Sequence, residues 1–208
     1  MKKVFKILLI VLVVMFIFAI FLFLWQPKET KGIVFGVNFS QKHANYLGTD
    51  WQKAYLAILE DLKVKKIKLA SYWDLIEKEG DNYDFQDLDW QIKQAEKYNV
   101  KVLLVIGMKT GRWPECHIPG WAKGLTKAEQ QASILKLLEE IIPRYHDSEY
   151  IWAWQVENEP FFPFGECPWV DKEFLKKEIV LIKSLDSQNR PVIISDSGEG
   201  SLWLTAAK

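Results

Sequence analysis

The sequence predicts an α/β fold in which parallel strands alternate with helices, behind one N-terminal membrane-spanning helix. Short apolar runs alternate with longer segments in which apolar residues recur at helical spacing. The run at 100–106 is apolar except for Lys101, which is typical of a parallel strand covered on both faces. Residues 7–25 form a run of 19 residues without a polar or charged side chain.

The apolar run at 7–25 is long enough to cross a membrane, since about 1.5 Å per residue gives roughly 28 Å. Three lysines precede it, Lys2, Lys3 and Lys6, so the positive-inside rule keeps the short N-terminus cytoplasmic. A cleaved signal peptide is the alternative, but residues 21–27 contain no Ala-x-Ala cleavage site. We expect a single-pass protein of the cell membrane whose C-terminal domain lies outside the cytoplasm.

Three parts follow from these boundaries: a cytoplasmic stub with a transmembrane signal anchor at 1–25, a linker at 26–32, and an outward-facing domain at 33–208. The whole chain carries 27 basic and 27 acidic residues. Without the three N-terminal lysines, 24 basic residues stand against 27 acidic ones. This weakly acidic balance argues against nucleic acid as a partner, because phosphate binding requires a basic face.

Five strands and four helices are expected in the outward-facing domain. The strands are at 33–39, 66–70, 100–106, 150–156 and 191–195. The helices are at 50–62, 87–98, 126–142 and 171–185. Asp50, Thr126 and Asp171 stand at the start of three of these helices, where such residues are preferred. The alternation of strands and helices implies parallel βαβ units.

Two architectures contain such units: a doubly wound open sheet and a (β/α) barrel. The glycine-rich phosphate loop of the first is missing after every strand, and residues 40–43 (SQKH) follow the first strand instead. Long aromatic and polar loops follow the third and fourth strands, as in barrel enzymes. The sequence therefore predicts a partial (β/α)8 TIM barrel of about five βα units.

The segment at 152–160, WAWQVENEP, contains the candidate catalytic residue. Strand burial is expected to end at Val156, so Asn158 and Glu159 emerge at the face where barrel catalysis occurs. A general acid needs a carboxyl group whose pKa is raised, and Glu159 has aromatic neighbours in sequence to provide apolar surroundings. The alternative is a solvated loop carboxylate. Glu157 is interpreted as structural, bonded to a neighbouring strand.

Residues 154–160 resemble the acid/base motif of the clan of retaining (β/α)8 glycoside hydrolases that includes cellulase-like enzymes and β-galactosidases. Residues 72–85, YWDLIEKEGDNYDF, followed by Leu88-Asp89, resemble the clan's segment after the second strand. The resemblance implies that Glu159 is the acid/base residue of a retaining mechanism and that Asn158 binds a sugar hydroxyl. It also implies a poly- or oligosaccharide substrate and no cofactor.

The chain departs from the clan at three places. Lys68 stands on the second strand where the clan commonly has an arginine, and residues 107–109 lack the histidine common in cellulases. The clan's nucleophile is a glutamate on the seventh strand, and we expect it to be missing because only five strands are counted. Glu199 is the only late glutamate, but it follows the fifth strand. We therefore expect the chain to be truncated relative to a full enzyme.

The loop at 112–121, RWPECHIPGW, follows the third strand and is a candidate substrate wall, because aromatic rings stack on sugars while polar side chains bond hydroxyl groups. The alternative is a rigid loop whose tryptophans cover the barrel rim. The predicted substrate-binding residues are Asn158, Trp113, Arg112, His117, Trp121, Lys68 and Trp73.

Cys116 and Cys167 fall in the loops after adjacent strands, so a disulfide between them is expected. Zinc held by these cysteines with His117 is the weaker alternative, and no metal is expected. The sequence thus favours a membrane-anchored glycoside hydrolase domain, incomplete as given. The alternative is a non-catalytic carbohydrate-binding or cell-envelope protein on a glycosidase-derived scaffold.

Overall fold

The computed structural model describes residues 2–24 and 32–198, and its contacts divide the chain into two units after Ile33. The first unit contains helix α1, Lys2–Leu24. The most apolar 18-residue window of Lys3–Leu24 has a mean hydropathy of 3.6 and is not buried, so the helix is long and apolar enough to cross a membrane. A signal sequence meets the same criterion. Trp25 and the predicted linker up to residue 31 lie outside the described residues.

The second unit is built on five parallel strands. They are β1 Gly36–Asn38, β2 Lys66–Ala70, β3 Lys101–Ile106, β4 Ile151–Val156 and β5 Val192–Ile193. Their order in the sheet is their order in the chain. A doubly wound sheet reverses its order at a switch point, whereas a barrel adds each new strand on the same side. The order therefore confirms the predicted partial (β/α)8 barrel.

Helices α2 to α7 connect these strands. They are α2 Gln41–Tyr46, α3 Trp51–Glu60, α4 Trp73–Ile76, α5 Gln86–Lys97, α6 Lys127–Arg144 and α7 Lys172–Leu185, with a 3-10 turn at Gly120–Ala122. Asp50, Thr126 and Asp171 cap α3, α6 and α7 by accepting backbone N–H bonds, as the sequence predicts. The sequence analysis does not predict α2 and α4, because six and four residues are too few to show helical periodicity.

The edge strands are shorter than predicted. β1 begins at Gly36 rather than at residue 33, and β5 ends at Ile193 rather than at residue 195. The exposed residues Ile33, Val34 and Phe35 precede β1. An apolar run becomes a strand only where its backbone groups find a partner, and β1 pairs with β2 over three residues.

The core lies between the sheet and the helices that cover it. Alternate strand residues such as Leu69, Leu104 and Trp154 are fully buried, together with Ile134 and Ile141 of α6. Burying each such Leu or Ile side chain contributes roughly 1.5–3 kcal/mol. Because all five strands are parallel, their carboxyl ends meet at one edge of the sheet, and the loops that follow them surround the candidate site.

Candidate active site

A cavity of about 180 Å³ lies at the carboxyl edge of the sheet. Side chains from the ends of β1, β2 and β4 and from the loop after β3 line it, among them Asn38, Lys68, Thr110, Arg112 and Asn158. Three of the predicted site residues, Lys68, Arg112 and Asn158, are thus brought together from positions far apart in the chain.

The amide of Asn158 is held in one orientation. Its Oδ1 accepts a hydrogen bond from Lys68 Nζ at 3.2 Å and another from Gln155 Nε2 at 3.3 Å. Its Nδ2 donates to Oε2 of Glu115 at 3.4 Å. With a cation on the oxygen side and a carboxylate on the nitrogen side, the reversed amide is disfavoured. The second N–H of Nδ2 is left for a ligand hydroxyl group.

Glu159 follows Asn158 in a fixed backbone conformation. Its φ is 49°, in the left-handed region that non-glycine residues seldom adopt and that is frequent at functional sites. Its N–H donates to Ser195 Oγ at 3.0 Å, and its carbonyl oxygen accepts from Lys109 Nζ at 3.0 Å. The half-buried side chain therefore projects from a backbone that is anchored on both sides.

Two lysines and two glutamates lie close enough to influence one another in the site, in addition to Arg112 in the cavity wall. Burial lowers the pKa of Lys68 and of Lys109, and in both cases Glu115 and Glu159 oppose that shift. Burial raises the pKa of Glu115, which is only 7% exposed. The half-buried Glu159 thus lies near two lysines and a second, buried glutamate.

Glu115 is a site residue that the sequence analysis does not single out, because a loop glutamate is usually solvated. Here Thr110 donates its N–H to the Glu115 carbonyl oxygen at 3.1 Å, and Gly165 packs against the residue. A Cβ atom on Gly165 would lie 2.6 Å from Cβ of Glu115 and 2.6 Å from the carbonyl oxygen of Pro114. Gly165, between Phe164 and Glu166, is the sequence feature that accompanies the burial of Glu115. Its meaning is recognised only when the structure shows the two residues in contact.

The structure does not bring the predicted site residue His117 into the cavity. The side chain is 1% exposed, and its Nδ1 and Nε2 lie 3.0 Å from Lys42 Nζ and the Gly111 carbonyl oxygen. Lys42 donates to Nδ1, so Nε2 carries the proton and donates to Gly111. Burial, with Lys42 beside the ring, lowers the pKa of His117 to about 4. His117 is a neutral imidazole that fixes the loop.

Two predicted tryptophans are also corrected. Trp73 is fully buried and donates its Nε1 to Glu77 Oε2 at 2.7 Å, so it cannot contact a sugar. Trp121 is half-buried, donates to the Glu77 carbonyl oxygen at 2.8 Å and packs edge-on against Trp73 at 5.8 Å. For Trp121 the alternative interpretation, that the ring covers the barrel rim, fits better. Trp113 is 64% exposed at the surface.

Glu157 lies below the site in the core. Its carboxylate accepts hydrogen bonds from the backbone N–H groups of Met108 and Lys109, as expected of a residue bonded to the neighbouring strand's loop. Its side chain also bonds that of Glu178 on α7. Burial, together with the neighbouring Glu157, raises the pKa of Glu178 well above its usual range, so Glu178 keeps its proton and donates it to Glu157.

A disulfide joins Cys116 and Cys167, and thereby the loops after β3 and β4. The two sulfur atoms are therefore not available to zinc, and His117 has other partners. Glu199, the weak candidate for the nucleophile, lies outside the described residues.

A parallel sheet in sequential order, with an Asn-Glu pair at the carboxyl end of its fourth strand, is the arrangement of the (β/α)8 glycoside hydrolase clan. No family model matches the chain. In sequence it is 29% identical over 129 residues to a mannan endo-1,4-beta-mannosidase A from Aspergillus aculeatus, covering 55% of this chain and 32% of that protein. The chain spans about a third of the length of the curated relatives it matches.

Solved structures show the same fold. An endo-beta-1,4-xylanase of glycoside hydrolase family 10 from Gloeophyllum trabeum superposes with a TM-score of 0.63 at 18% identity, covering 87% of this chain and 60% of that one. A GH5_18 protein from Streptomyces cattleya, in complex with GlcNAc, gives a TM-score of 0.59 at 15% identity, covering 78% and 44%. At these identities the likeness concerns the fold.

Proposed function

We propose that the α/β unit is a glycoside hydrolase domain that cleaves O-glycosidic bonds by a retaining mechanism with Glu159 as acid/base. The observation that carries the proposal is the Asn158–Glu159 pair at the end of β4, with the Asn158 amide fixed by Lys68 and Glu115 beside a cavity. A fixed donor next to a half-buried carboxyl group suits the protonation of a glycosidic oxygen.

Each residue has a role in this mechanism. Glu159 protonates the leaving oxygen and later removes a proton from the incoming water. Asn158 donates its free N–H to a sugar hydroxyl group. Lys68 takes the place of the clan's arginine as a single point charge without the bidentate fork. The nucleophile must lie about 5–5.5 Å from the acid/base carboxyl group, and we place it outside the five strands described.

The proposed substrate is a β-1,4-linked polysaccharide. The curated relatives carry the name mannan endo-1,4-beta-mannosidase, and one structural neighbour is named an endo-beta-1,4-xylanase. Both names specify a β-1,4 linkage. We further propose that α1 is an uncleaved anchor and holds the domain at the outer face of the membrane, where such polymers are met. Support comes from its length and composition.

The role of Glu159 is tested with Glu159→Gln and Glu159→Ala in a longer chain that supplies the nucleophile, on mannan, xylan and activated aryl glycosides. Loss of the proton donor should lower kcat on polysaccharide by about 10²–10⁴-fold. Aryl glycosides with good leaving groups should be less affected, and azide should accelerate their cleavage by Glu159→Ala. Glu166→Gln, an exposed glutamate on the same loop, is the matched control. Unchanged turnover in the Glu159 variants would contradict the proposal.

A non-catalytic carbohydrate-binding protein remains the second candidate. The retaining mechanism requires two carboxyl groups at the site. Among residues 32–198, however, only β4 is directly followed by a glutamate. On this alternative even a longer chain that includes the further strands binds glycan without turnover, and Glu159→Gln leaves affinity unchanged. Hydrolysis that depends on Glu159 excludes it.

A further inference from the structure

We propose that Trp113, Phe162 and Phe164 form an aromatic platform that binds sugar units of the same glycan next to the cavity. This inference rests on the proposed function, because it extends the substrate site outward from Glu159. The three rings replace the predicted wall of Trp113 and Trp121, since Trp121 packs into the rim instead.

The platform is exposed where aromatic rings are usually covered. Trp113 is 64% exposed and Phe164 is 48% exposed. Their ring centroids are 6.0 Å apart, and Phe162 lies nearly parallel to Phe164 at 5.9 Å. Two exposed rings in contact with a third, half-buried one form an apolar surface of the kind that marks a binding site. The C–H faces of pyranose rings are the apolar surface that such rings cover.

Two loops carry the platform, and the structure ties them into one unit. The disulfide between Cys116 and Cys167 joins them, and Glu166 donates its N–H to the Pro114 carbonyl oxygen at 2.9 Å. Gly165 lies so close to Pro114 that a side chain there would not fit. Because the loops are already ordered, a ligand does not lose affinity to loop ordering.

Continuity with the cavity identifies the occupant as glycan. Arg112, which lines the cavity, directly precedes Trp113. Phe162 donates its N–H to the Glu159 carbonyl oxygen at 3.0 Å, and Lys109 Nζ bonds the carbonyl oxygens of both residues. A sugar chain whose glycosidic oxygen meets Glu159 therefore continues directly onto the rings.

The test measures binding, not turnover, on the full chain in detergent with the Glu159→Gln background. Affinity for mannan, xylan and their hexasaccharides is measured by affinity electrophoresis and calorimetry. Trp113→Ala and Phe164→Ala should each weaken binding about 10-fold, equivalent to about 1.4 kcal/mol. Trp113→Phe should retain most of the affinity. Tyr46→Ala, which removes an 83% exposed ring from α2, is the control.

The role of the disulfide gives a second arm. A reductant should weaken binding by the parent chain, and Cys116→Ser combined with Cys167→Ser should bind weakly with and without reductant. Unchanged affinity in both alanine variants overturns the platform, as does absence of binding to either glycan. A change of oligomeric mass without a change in glycan affinity assigns the rings to a protein interface and also overturns it.

The two proposals fail separately. Wild-type hydrolysis that depends on Glu159, with normal glycan affinity in the Trp113→Ala and Phe164→Ala variants, refutes the platform alone. Platform-dependent binding without turnover by a longer chain that also supplies the nucleophile refutes the hydrolase and leaves the platform standing.

Discussion

At the scale of single residues, the Asn158 amide shows how a site is built from opposing charges. Lys68 holds its oxygen and Glu115 holds its nitrogen, so the N–H donors of the amide have one direction. Neither neighbour needs to touch the substrate for this effect. Glu115 is thus a positioning residue. Because it is only 7% exposed, little water competes for its hydrogen bond with Asn158, and the bond is stronger than it would be at the surface.

Replacing Glu115 should separate positioning from folding. Glu115→Ala removes the acceptor, and a hydrogen bond to a charged group is worth about 1.5–3 kcal/mol, so kcat/KM should fall roughly 10–100-fold. Glu115→Gln keeps an amide oxygen as acceptor and should recover most of the activity. Steady-state kinetics and thermal unfolding are measured together. Equal activities of the alanine variant and wild type at equal stability would disprove the positioning role.

At the scale of elements, a buried carboxyl pair connects β4, the loop after β3 and α7. Glu157 at the end of β4 accepts two backbone N–H bonds from that loop and the proton of Glu178 from α7. This hydrogen-bonded pair of carboxyl groups fixes the strand end from which Asn158 and Glu159 project. It is stable only while the pair keeps a proton, because two buried carboxylates repel each other.

This pair predicts a pH dependence of stability. The pKa of Glu178 is raised in the folded state, so its stabilising contribution is complete below the unfolded-state pKa near 4.3 and is lost as pH rises through the folded-state pKa. Glu178→Gln keeps an N–H donor for Glu157 and cannot ionise. Its melting temperature should match wild type near pH 4 and exceed it increasingly toward pH 9.

Thermal unfolding between pH 4 and pH 9 measures that difference, at roughly 2–4 °C for each kcal/mol. Glu173→Gln on the exposed face of α7 is the control and should run parallel to wild type. A constant offset between Glu178→Gln and wild type at all pH values would show that the pair does not titrate as described.

At the scale of the whole molecule, an α/β unit with a cavity at the carboxyl edge of its sheet follows an apolar helix in the sequence. Parallel strands in sequential order place five strand ends on one edge, so loops distant in sequence share one cavity. The helix at Lys2–Leu24 decides whether this unit is released or retained at a membrane. Retention requires both insertion and lack of cleavage.

The anchor is tested by translating the chain in the presence of membrane vesicles. An uncleaved anchor leaves the full-length chain in the carbonate-resistant pellet, with the α/β unit protected from added protease. Leu12→Arg with Phe16→Arg should release it, because each arginine at the helix centre costs roughly 2.5–3.5 kcal/mol. Val11→Leu is the neutral control. A shortened, soluble product in the vesicle lumen would show a signal peptide instead.

Local sequence patterns were enough to predict the parallel α/β class, the caps of three helices and the place of Glu159 after the fourth strand. These features depend on local periodicity, capping and the end of a strand, which neighbouring residues encode. Asn158 was also found because it closely follows the end of β4, and Lys68 because the resemblance implies a cation on the second strand. The extent of the edge strands was not, since pairing depends on a partner strand.

Only the tertiary structure decided which loop side chains face the cavity. His117, Trp73 and Trp121 belong to the same kind of loop sequence as Arg112 and Trp113, yet they are turned into the protein. Glu115 enters the site for the opposite reason, because Gly165 from another loop leaves room for it. Loop orientation is set by contacts between segments far apart in the chain, and no local pattern records those contacts.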